Sequence, residues 1–358
     1  MTTVSSTPKL RQRIAGVLLG TAVGDALGLP AENLSPRRIR RRWPEPLRMR
    51  LIFGRGMISD DTEHTLMVAQ ALLSHPDDPV AFQRGLAWKL RWWFAGLPGG
   101  VGLATEKACL RLWIGFPANK CAVMSAGSFP PMRSAIIGAF FASKPEKRRE
   151  FVLASSRLTH RGWQAETAAL SVAEAAALAV RSAGLPDPTE VLSTMRRLSP
   201  QKEWQARVSE IESCLKAESR VSDFVDNLGL KGGVTGYSLH VVPVALYAWL
   251  HHASDFRLAL TAAIECGGDT DTVGAILGAL CGATTGTKAI PAEWIKDIWE
   301  WPRSCRFMEL LAEKLADQET SSACLGPVRY FWPGVIPRNL LFLAVVLAHG
   351  FRRLAPPY

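Results

Sequence analysis

Two short stretches of the chain carry more acid than the start of a helix requires. Ser59-Asp60-Asp61-Thr62-Glu63-His64-Thr65 leads into the apolar Leu66 to Leu73, and Gly267-Gly268-Asp269-Thr270-Asp271-Thr272 leads into Val273 to Cys281. Acidic side chains suit helix N-termini, where they accept from free N–H groups and complement the positive end of the helix dipole. Asp60 with Glu63 even has capping-box spacing. For either stretch alone, capping is the simpler explanation. Yet one cap takes one carboxylate, and each stretch holds two aspartates with hydroxyls beside them. Four carboxylates brought together repel, and each is pushed toward protonation unless a cation lies between them. Oxygen ligands supplemented by Ser and Thr hydroxyls suit Mg²⁺ or Mn²⁺, whereas zinc recruits His or Cys. Spacing alone does not say whether the two stretches meet.

The elements that must position these groups are helical. Gln164 to Ser182 is so rich in alanine that helix propensity nearly decides it, and Val273, Ile276, Leu277 and Leu280 mark one buried helical face. Val242 to Leu250 and Glu309 to Leu315 also read as helix. Alternating β-type runs bounded by Asn-Gly or Asp-Gly turns are missing, as are solenoid repeats and a long Pro/Ser-rich linker. The more polar stretch Leu185 to Gly233 contains Pro186, Pro188 and Pro200 and reads as a local break that need not separate two folding units. Gly16, Gly20, Gly24 and Gly274, Gly278, Gly282 recur every fourth residue inside helices. Each costs about 0.5–1 kcal/mol relative to alanine, so a compensating gain is needed, and tight helix packing supplies the plain one. The expected fold is all-α, one large domain over residues 1–326 with an apolar tail, 327–358, packed on it.

The 358 residues are 48% hydrophobic and 21% charged, a balance that gives a substantial core and excludes disorder. Much of the net charge of +10 is local, because Pro36 to Arg50 holds seven arginines against one glutamate. Arg37 to Arg42 is a candidate contact for nucleic acid or another phosphate-rich partner. The plainer reading is a solvated basic face, since the run lacks interleaved aromatics and no zinc-finger, RRM or KH pattern accompanies it. Seven scattered cysteines without a C-x-x-C pair point to reduced, intracellular use and offer no zinc framework. Lys9, Arg11 and Arg13 ahead of Ile14 to Val23 imitate a signal peptide, but glycines interrupt the apolar block, so a cytoplasmic location is expected. No segment approaches the ~20 uninterrupted apolar residues of a membrane span. The nearest, Asn339 to His349, is flanked by Arg338, Arg352 and Arg353 and reads as a buried or interfacial helix, with no membrane partner expected.

Several short patterns then follow one another along residues 12 to 291. Gly16-Val17-Leu18-Leu19-Gly20-Thr21-Ala22-Val23-Gly24-Asp25-Ala26-Leu27-Gly28 precedes Pro30 and Glu32. Ser59-Asp60-Asp61-Thr62, Met132-Arg133-Ser134-Ala135 and Thr159-His160 come next. Gly236-Tyr237, with Pro243 and Ala245-Leu246 after it, and Gly267-Gly268-Asp269-Thr270-Asp271-Thr272-Val273-Gly274 complete the series. In this order the patterns resemble the ADP-ribosylglycohydrolase family of all-α dimetal hydrolases. The resemblance implies one orthogonal helical domain that cleaves the bond between ADP-ribose and an ADP-ribosylated protein or other conjugate, with two Mg²⁺ or Mn²⁺ ions as cofactors. It implies Ser59, Asp60 and Asp61 as one ligand group and Asp269, Asp271 and Thr272 as the other, with Asp60, Asp61 and Glu32 catalytic. It implies Gly127, Ser128, Met132, Arg133, His160, Tyr237, Gly267 and Gly268 around the substrate, and Asp25 in a supporting role. The pyrophosphate is expected on backbone N–H groups of the helix that opens near Pro131.

One departure stands out. Where the family shows a small Gly-Asn-Gly loop, this chain has Gly127-Ser128-Phe129-Pro130-Pro131 before Met132-Arg133. A phenylalanine crowds a place where glycine lets N–H groups approach a phosphate, and two prolines stiffen the backbone. The metal ligands are untouched. An alternative function follows from the altered loop, a family scaffold that binds ADP-ribose or serves structurally without turnover.

Overall fold

The computed structural model describes residues 7–354 apart from Ser322, and the side chains of Thr7 and Pro8 are not described. The outermost residues of the expected 1–326 and 327–358 segments therefore lie outside the described residues. Within them the chain forms eighteen α-helices and a single two-residue parallel pairing, Val123–Met124 with His160–Arg161. The all-α expectation holds.

At the centre lie the N-terminal helix Thr7–Gly28 and the helix Thr270–Thr285, antiparallel and in the most extensive helix contact of the fold. Their glycines face each other in order, Gly16 to Gly282, Gly20 to Gly278, Gly24 to Gly274, and Gly28 meets Thr270. At each of these a Cβ would fall within 3.0 Å of a backbone carbonyl on the other helix. The repeated glycines thus let two main chains approach closely, and dispersion attraction along the seam offsets their poor helix propensity. The direction of the pairing has a consequence for chemistry. It sets the end of the first helix, and Glu32 just beyond it, against the start of the second, where Asp269 and Asp271 lie.

The alanine-rich helix Trp163–Arg181 packs on Thr270–Thr285 and on Ala135–Phe140, almost as its composition predicts. The helix Asp60–Ser74 is buried along nearly its whole length. The polar stretch after Leu185 is filled by Pro188–Leu198, Lys202–Lys216 and Val221–Asn227, which bury Met195, Trp204 and Phe224 in the same core. It separates nothing.

After Gly326 the chain returns to the body, where the Val328 N–H donates to the Gln70 side chain (2.8 Å) and its carbonyl accepts from it (2.7 Å). The tail then forms the helix Val335–Arg352, longer than the apolar run suggests. By length and composition two helical segments, Lys9–Ala31 and Trp332–Arg352, reach what a membrane span needs, which corrects the expectation that none comes close. The first is the buried centre of the core. In the second, the polar residues that interrupt the apolar run are bonded into the protein. Arg338 pairs with Glu300 (2.6 Å) and Glu63 (3.3 Å) and donates to the Ile58 carbonyl (2.6 Å), while Asn339 donates to the Gly96 carbonyl (2.8 Å).

Adding one methyl group along the glycine seam tests its role. Gly20→Ala and Gly278→Ala are each expected to lower unfolding stability by about 3 kcal/mol, at the upper end of overpacking costs because rigid backbone faces the methyl. Gly184→Ala, which meets nothing within 4 Å, serves as the control and should stay near the parent in urea denaturation.

Candidate active site

The four aspartates are not used as helix caps. Asp25, on the N-terminal helix and fully buried, reaches across to the helix Asp60–Ser74. Its carboxylate accepts from the Ser59 N–H (2.9 Å), the Thr62 N–H (3.2 Å) and the Thr62 hydroxyl. Burial raises its pKa to about 6 against the opposing pull of these bonds. Within the helix itself the N-cap is Ser59, whose hydroxyl accepts from the Asp61 N–H (3.4 Å). Glu63 does not close the capping box. It accepts from the Trp93 indole (2.5 Å) and pairs with Arg303 and Arg338. Asp269 stands at the N-cap position of its helix without a side-chain capping bond. Capping therefore leaves Asp61 and Asp271 each with a carboxylate oxygen to spare.

The two stretches meet. The Thr272 hydroxyl donates to Asp61 Oδ2 (3.4 Å) across 211 positions of chain, and the Ser59 hydroxyl donates to the same oxygen (3.3 Å). The second stretch is itself tied by backbone bonds to the segments around Leu34 and Val234. Asn33 N–H donates to the Gly268 carbonyl (2.7 Å), Gly268 N–H to the Leu34 carbonyl (2.9 Å), and Asp269 N–H to the Val234 carbonyl (2.7 Å). Gly268 is required here, since it has φ +83° and a Cβ would strike Val234. Glu32 is held next to it by Arg353, which donates to its main-chain carbonyl (2.7 Å).

Burial drives the carboxylates upward, and mutual repulsion adds to it. Asp60, Asp61 and Asp271 sit well above the usual carboxylate range. Beyond burial, Asp60 feels Asp25 and Glu63, Asp61 feels Asp60, Asp25 and Asp269, and Asp271 feels Glu32, Asp269 and Asp61. Glu32 and Asp269 are raised too, by burial first. Asp61 Oδ1 and Asp271 Oδ1 are buried without any hydrogen-bond partner. An all-oxygen set with orphaned carboxylate oxygens is suited to hard cations. Among the described residues no three His, Cys, Asp or Glu side chains already stand in closed ligand geometry, so this is a donor set and not a formed coordination sphere.

The donor set lines a cleft of about 680 Å³. Of the residues singled out from sequence, Glu32, Ser59, Asp60, Asp61, Gly127, Ser128, His160, Gly268, Asp269, Asp271 and Thr272 all border it. Four do not. Met132 is in the core, and Arg133, fully buried, donates to Ser155, Thr159 and His64 Nδ1 instead of facing the cleft. Tyr237 turns its hydroxyl to Glu203 (2.9 Å) and contributes to the site only through backbone pairing with Gly127. Gly267 lies beneath the surface, its carbonyl accepting from Val234 N–H (2.9 Å).

In the altered loop, Phe129 stacks on His160 (ring centroids 6.1 Å apart) and covers Gly102, so its ring forms a wall of the cleft. Ser128 donates to Asp269 Oδ2 (3.3 Å). The helix near Pro131 is only Phe129–Met132, and Pro130 and Pro131 carry no N–H, so it is a poor anion cradle and the expected pyrophosphate seat there is not supported. His160 has its pKa lowered to about 3 by burial and then by Arg133, which keeps the ring neutral.

Other residues of the cleft escaped the sequence reading. Gly99, Gly100 and Gly102 form one rim and Gly232, Gly233 and Gly236 another, while Phe342 and Val346 of the tail helix form a wall. The glycine clusters were a visible signal. The tail residues had none beyond being apolar. A separate, mostly apolar cavity of about 380 Å³ among Trp88, Trp92, Trp93 and Trp332 holds none of the paired aspartates.

Comparisons with known proteins bear on the family and the fold. Residues 6–323 match the family model described as ADP-ribosylglycohydrolase. An uncharacterized protein of Archaeoglobus fulgidus is 30% identical over 86% of this chain and 96% of its own length. The ADP-ribosyl-[dinitrogen reductase] glycohydrolase of Rhodospirillum rubrum is 24% identical over 81% of this chain and 92% of its own. The ADP-ribosylarginine hydrolase Tri1 of Pseudomonas putida is 26% identical over 86% of this chain and 78% of its own. A solved structure described as an ADP-ribosylglycohydrolase-related protein complex superposes with a TM-score of 0.65 at 27% identity, covering 87% of this chain and 99% of that one.

The crowding of acids has a sign that can be measured. A carboxyl group whose pKa rises on folding weakens the folded state at neutral pH, and the penalty fades as pH falls and the native group keeps its proton. Asp271→Asn in EDTA is therefore expected to raise the melting temperature by a few degrees near pH 7.5, with the gain shrinking toward pH 5. A variant less stable than the parent at pH 7.5 contradicts this account.

Proposed function

The chain belongs to the ADP-ribosylglycohydrolase family, and on that premise we propose that it hydrolyses the glycosidic bond joining ADP-ribose to an arginine, a serine or another acceptor, using two divalent cations. The family and the two named glycohydrolase relatives support a hydrolase acting on ADP-ribose. The observation that carries the metal-dependent reading is the meeting of Asp61 with Thr272 in a buried cleft that leaves two aspartate oxygens unpartnered. A buried acceptor without a partner is expensive, and repelling carboxylates are costly to keep without a counter-charge.

In this scheme Ser59, Asp60 and Asp61 hold one ion and Asp269, Asp271 and Thr272 the other, with Glu32 at the edge of the same set. Bound magnesium or manganese lowers the pKa of a nearby water and polarises the sugar hydroxyls. The chain's own residues do the remainder. Asp60 or Asp61 orients the attacking water and accepts its proton. The water oxygen bonds to the anomeric carbon as the bond to the acceptor breaks, that electron pair leaves with the acceptor, and the acceptor takes up the proton given up by the water, so that one water is consumed. The surrounding carboxylates favour positive charge developing on the sugar. Neutral His160 and the Phe129 ring stacked on it offer flat contact surface. With seven free cysteines, we place the activity in the cytoplasm, where thiols stay reduced.

Phe129 also favours a second reading, binding without turnover, because its ring occupies space a smaller residue would leave open. One assay separates the two. ADP-ribose release is measured from arginine-, serine- and nucleic-acid-linked substrates with Mg²⁺, Mn²⁺ or EDTA. Release from at least one substrate, lost in EDTA and reduced at least about 100-fold by Asp60→Ala and by Asp271→Ala with helical circular dichroism retained, is the expected result. Turnover that persists in either variant or in EDTA ends the dimetal scheme. Tight ADP-ribose binding without release from any substrate selects the binder.

Metal binding has its own readout. Mg²⁺ or Mn²⁺ is expected to raise the melting temperature of the parent protein, and Asp61→Asn with Asp271→Asn together should abolish the rise.

A further inference from the structure

The tail helix Val335–Arg352 is built inside out. Arg338, Asn339 and Phe342 face the protein, and the half-buried His349 bonds to the Pro30 carbonyl (3.1 Å). Turned to solvent are Ile336, Leu340, Leu343, Leu347 and Phe351, with Leu354 just beyond, at the spacing of one helical face and 37–71% exposed. A helix on a protein surface ordinarily turns its polar side to water. This one does the reverse.

Both ends of the stripe are marked. At the start, Trp301 packs on Phe331 (5.9 Å), and both rings are more than half exposed. At the end, the guanidinium of Arg38 donates to the Arg353 carbonyl (3.1 Å) and that of Arg42 to the Arg352 carbonyl (2.9 Å). These bonds moor the arginine helix Pro36–Arg42 beside the tail, with Arg37, Arg40 and Arg352 exposed. Neither residues 33–44 nor residues 326–354 contain an aspartate or glutamate.

We propose that this surface docks the protein on an anionic lipid bilayer. The tail helix lies in the plane of the interface with its leucines at the acyl boundary, and the arginines meet headgroup phosphates. It does not span, because Arg338 and Asn339 are bonded into the body and hold it there. The expectation of no membrane partner rested on spanning length, which an in-plane helix does not need. A second copy of the chain would offer apolar area but no negative charge opposite the arginines, since the same stretch has no acid. Nucleic acid would engage the arginines and leave the leucines in water. An anionic bilayer satisfies both. Phe342 and Val346, on the inner side of the same helix, line the cleft, so docking sets the cleft about one helix diameter, ~10 Å, from the lipid.

Flotation of the full chain with phosphatidylcholine vesicles, with and without about 30% phosphatidylglycerol, tests this. Binding to the anionic vesicles, at least about tenfold weaker without phosphatidylglycerol and weakened by salt, is expected. Leu343→Glu with Leu347→Glu should reduce it at least about tenfold with the circular dichroism spectrum unchanged. Arg37→Ala with Arg40→Ala should weaken it about tenfold and provides an independent arm if the leucine variant misfolds. Absence of flotation, or equal flotation of parent and both variants, overturns the proposal. So does a dimer in sedimentation velocity that the leucine variant dissociates while vesicles go unbound, or duplex DNA binding at low salt without vesicle binding.

Discussion

The backbone contact between the helices Thr7–Gly28 and Thr270–Thr285 is the constraint on which the rest depends. Side chains usually keep helix axes about 8–10 Å apart, and removing them at every fourth position lets the main chains approach more closely. An antiparallel seam of this kind fixes register as well as distance, because a Cβ on the first helix would clash with the second helix's backbone at each of the four steps. Register is what the chemistry needs. A slip of one turn would carry Thr270 past Gly28 and pull Asp271 away from Glu32 and Asp61. The seam is thus an apolar device whose output is the alignment of acids at one end of the molecule.

That alignment works against stability at the point where it is most complete. Asp25 shows how the fold manages the conflict. It takes over the capping of the helix Asp60–Ser74 from a neighbouring element, so the aspartates of that helix keep oxygens unengaged. Behind them Glu63 is neutralised by Arg303 and Arg338, and Glu300 completes the same buried network. Arginines neutralise the acids behind the cleft, whereas the aspartates that open to it repel one another with only Arg353 nearby. A protein that needed these acids only for packing would have no reason to separate the two so cleanly. Local violation of charge balance, surrounded by well-satisfied structure, is how a binding site differs from a core.

Much of the architecture was legible from residue order. The alanine run, the heptad-like apolar spacing and the repeated glycines are short-range patterns, and each maps onto a helix with ends a few residues from expectation. The acidic stretches stood out in the sequence because their residue types exceed what capping explains, and the structure brings them together. Arg133 and Tyr237 were misplaced for a common reason. Neighbours of a site in sequence motif can support it from within, and whether a side chain points inward depends on partners such as Ser155 or Glu203 that lie far along the chain or on another helix. The glycine rims at Gly100 and Gly233 were visible as clusters but had no period to assign them. Asp25, given a supporting role by the resemblance alone, accepts from the Ser59 and Thr62 backbone, as a buried single acid must find donors.

The tail shows most sharply where composition misleads. An apolar helix is normally read as a core element, with its few polar residues taken as the side that meets water. Here the polar residues are the anchors. Arg338 reaches the Ile58 carbonyl, immediately before Ser59, and Arg353 reaches the carbonyls of Glu32 and Pro30. The helix therefore grips the two loops that present Asp60 and Glu32, at opposite ends of its length, while Phe342 and Val346 between them close the wall of the cleft. Because the Arg338 guanidinium is buried, releasing the helix would leave a charged group and its carbonyl partner unsatisfied, a cost that makes the tail part of the site's scaffold and not an appendage. What lies on its outer face is then mechanically close to what lies on its inner one.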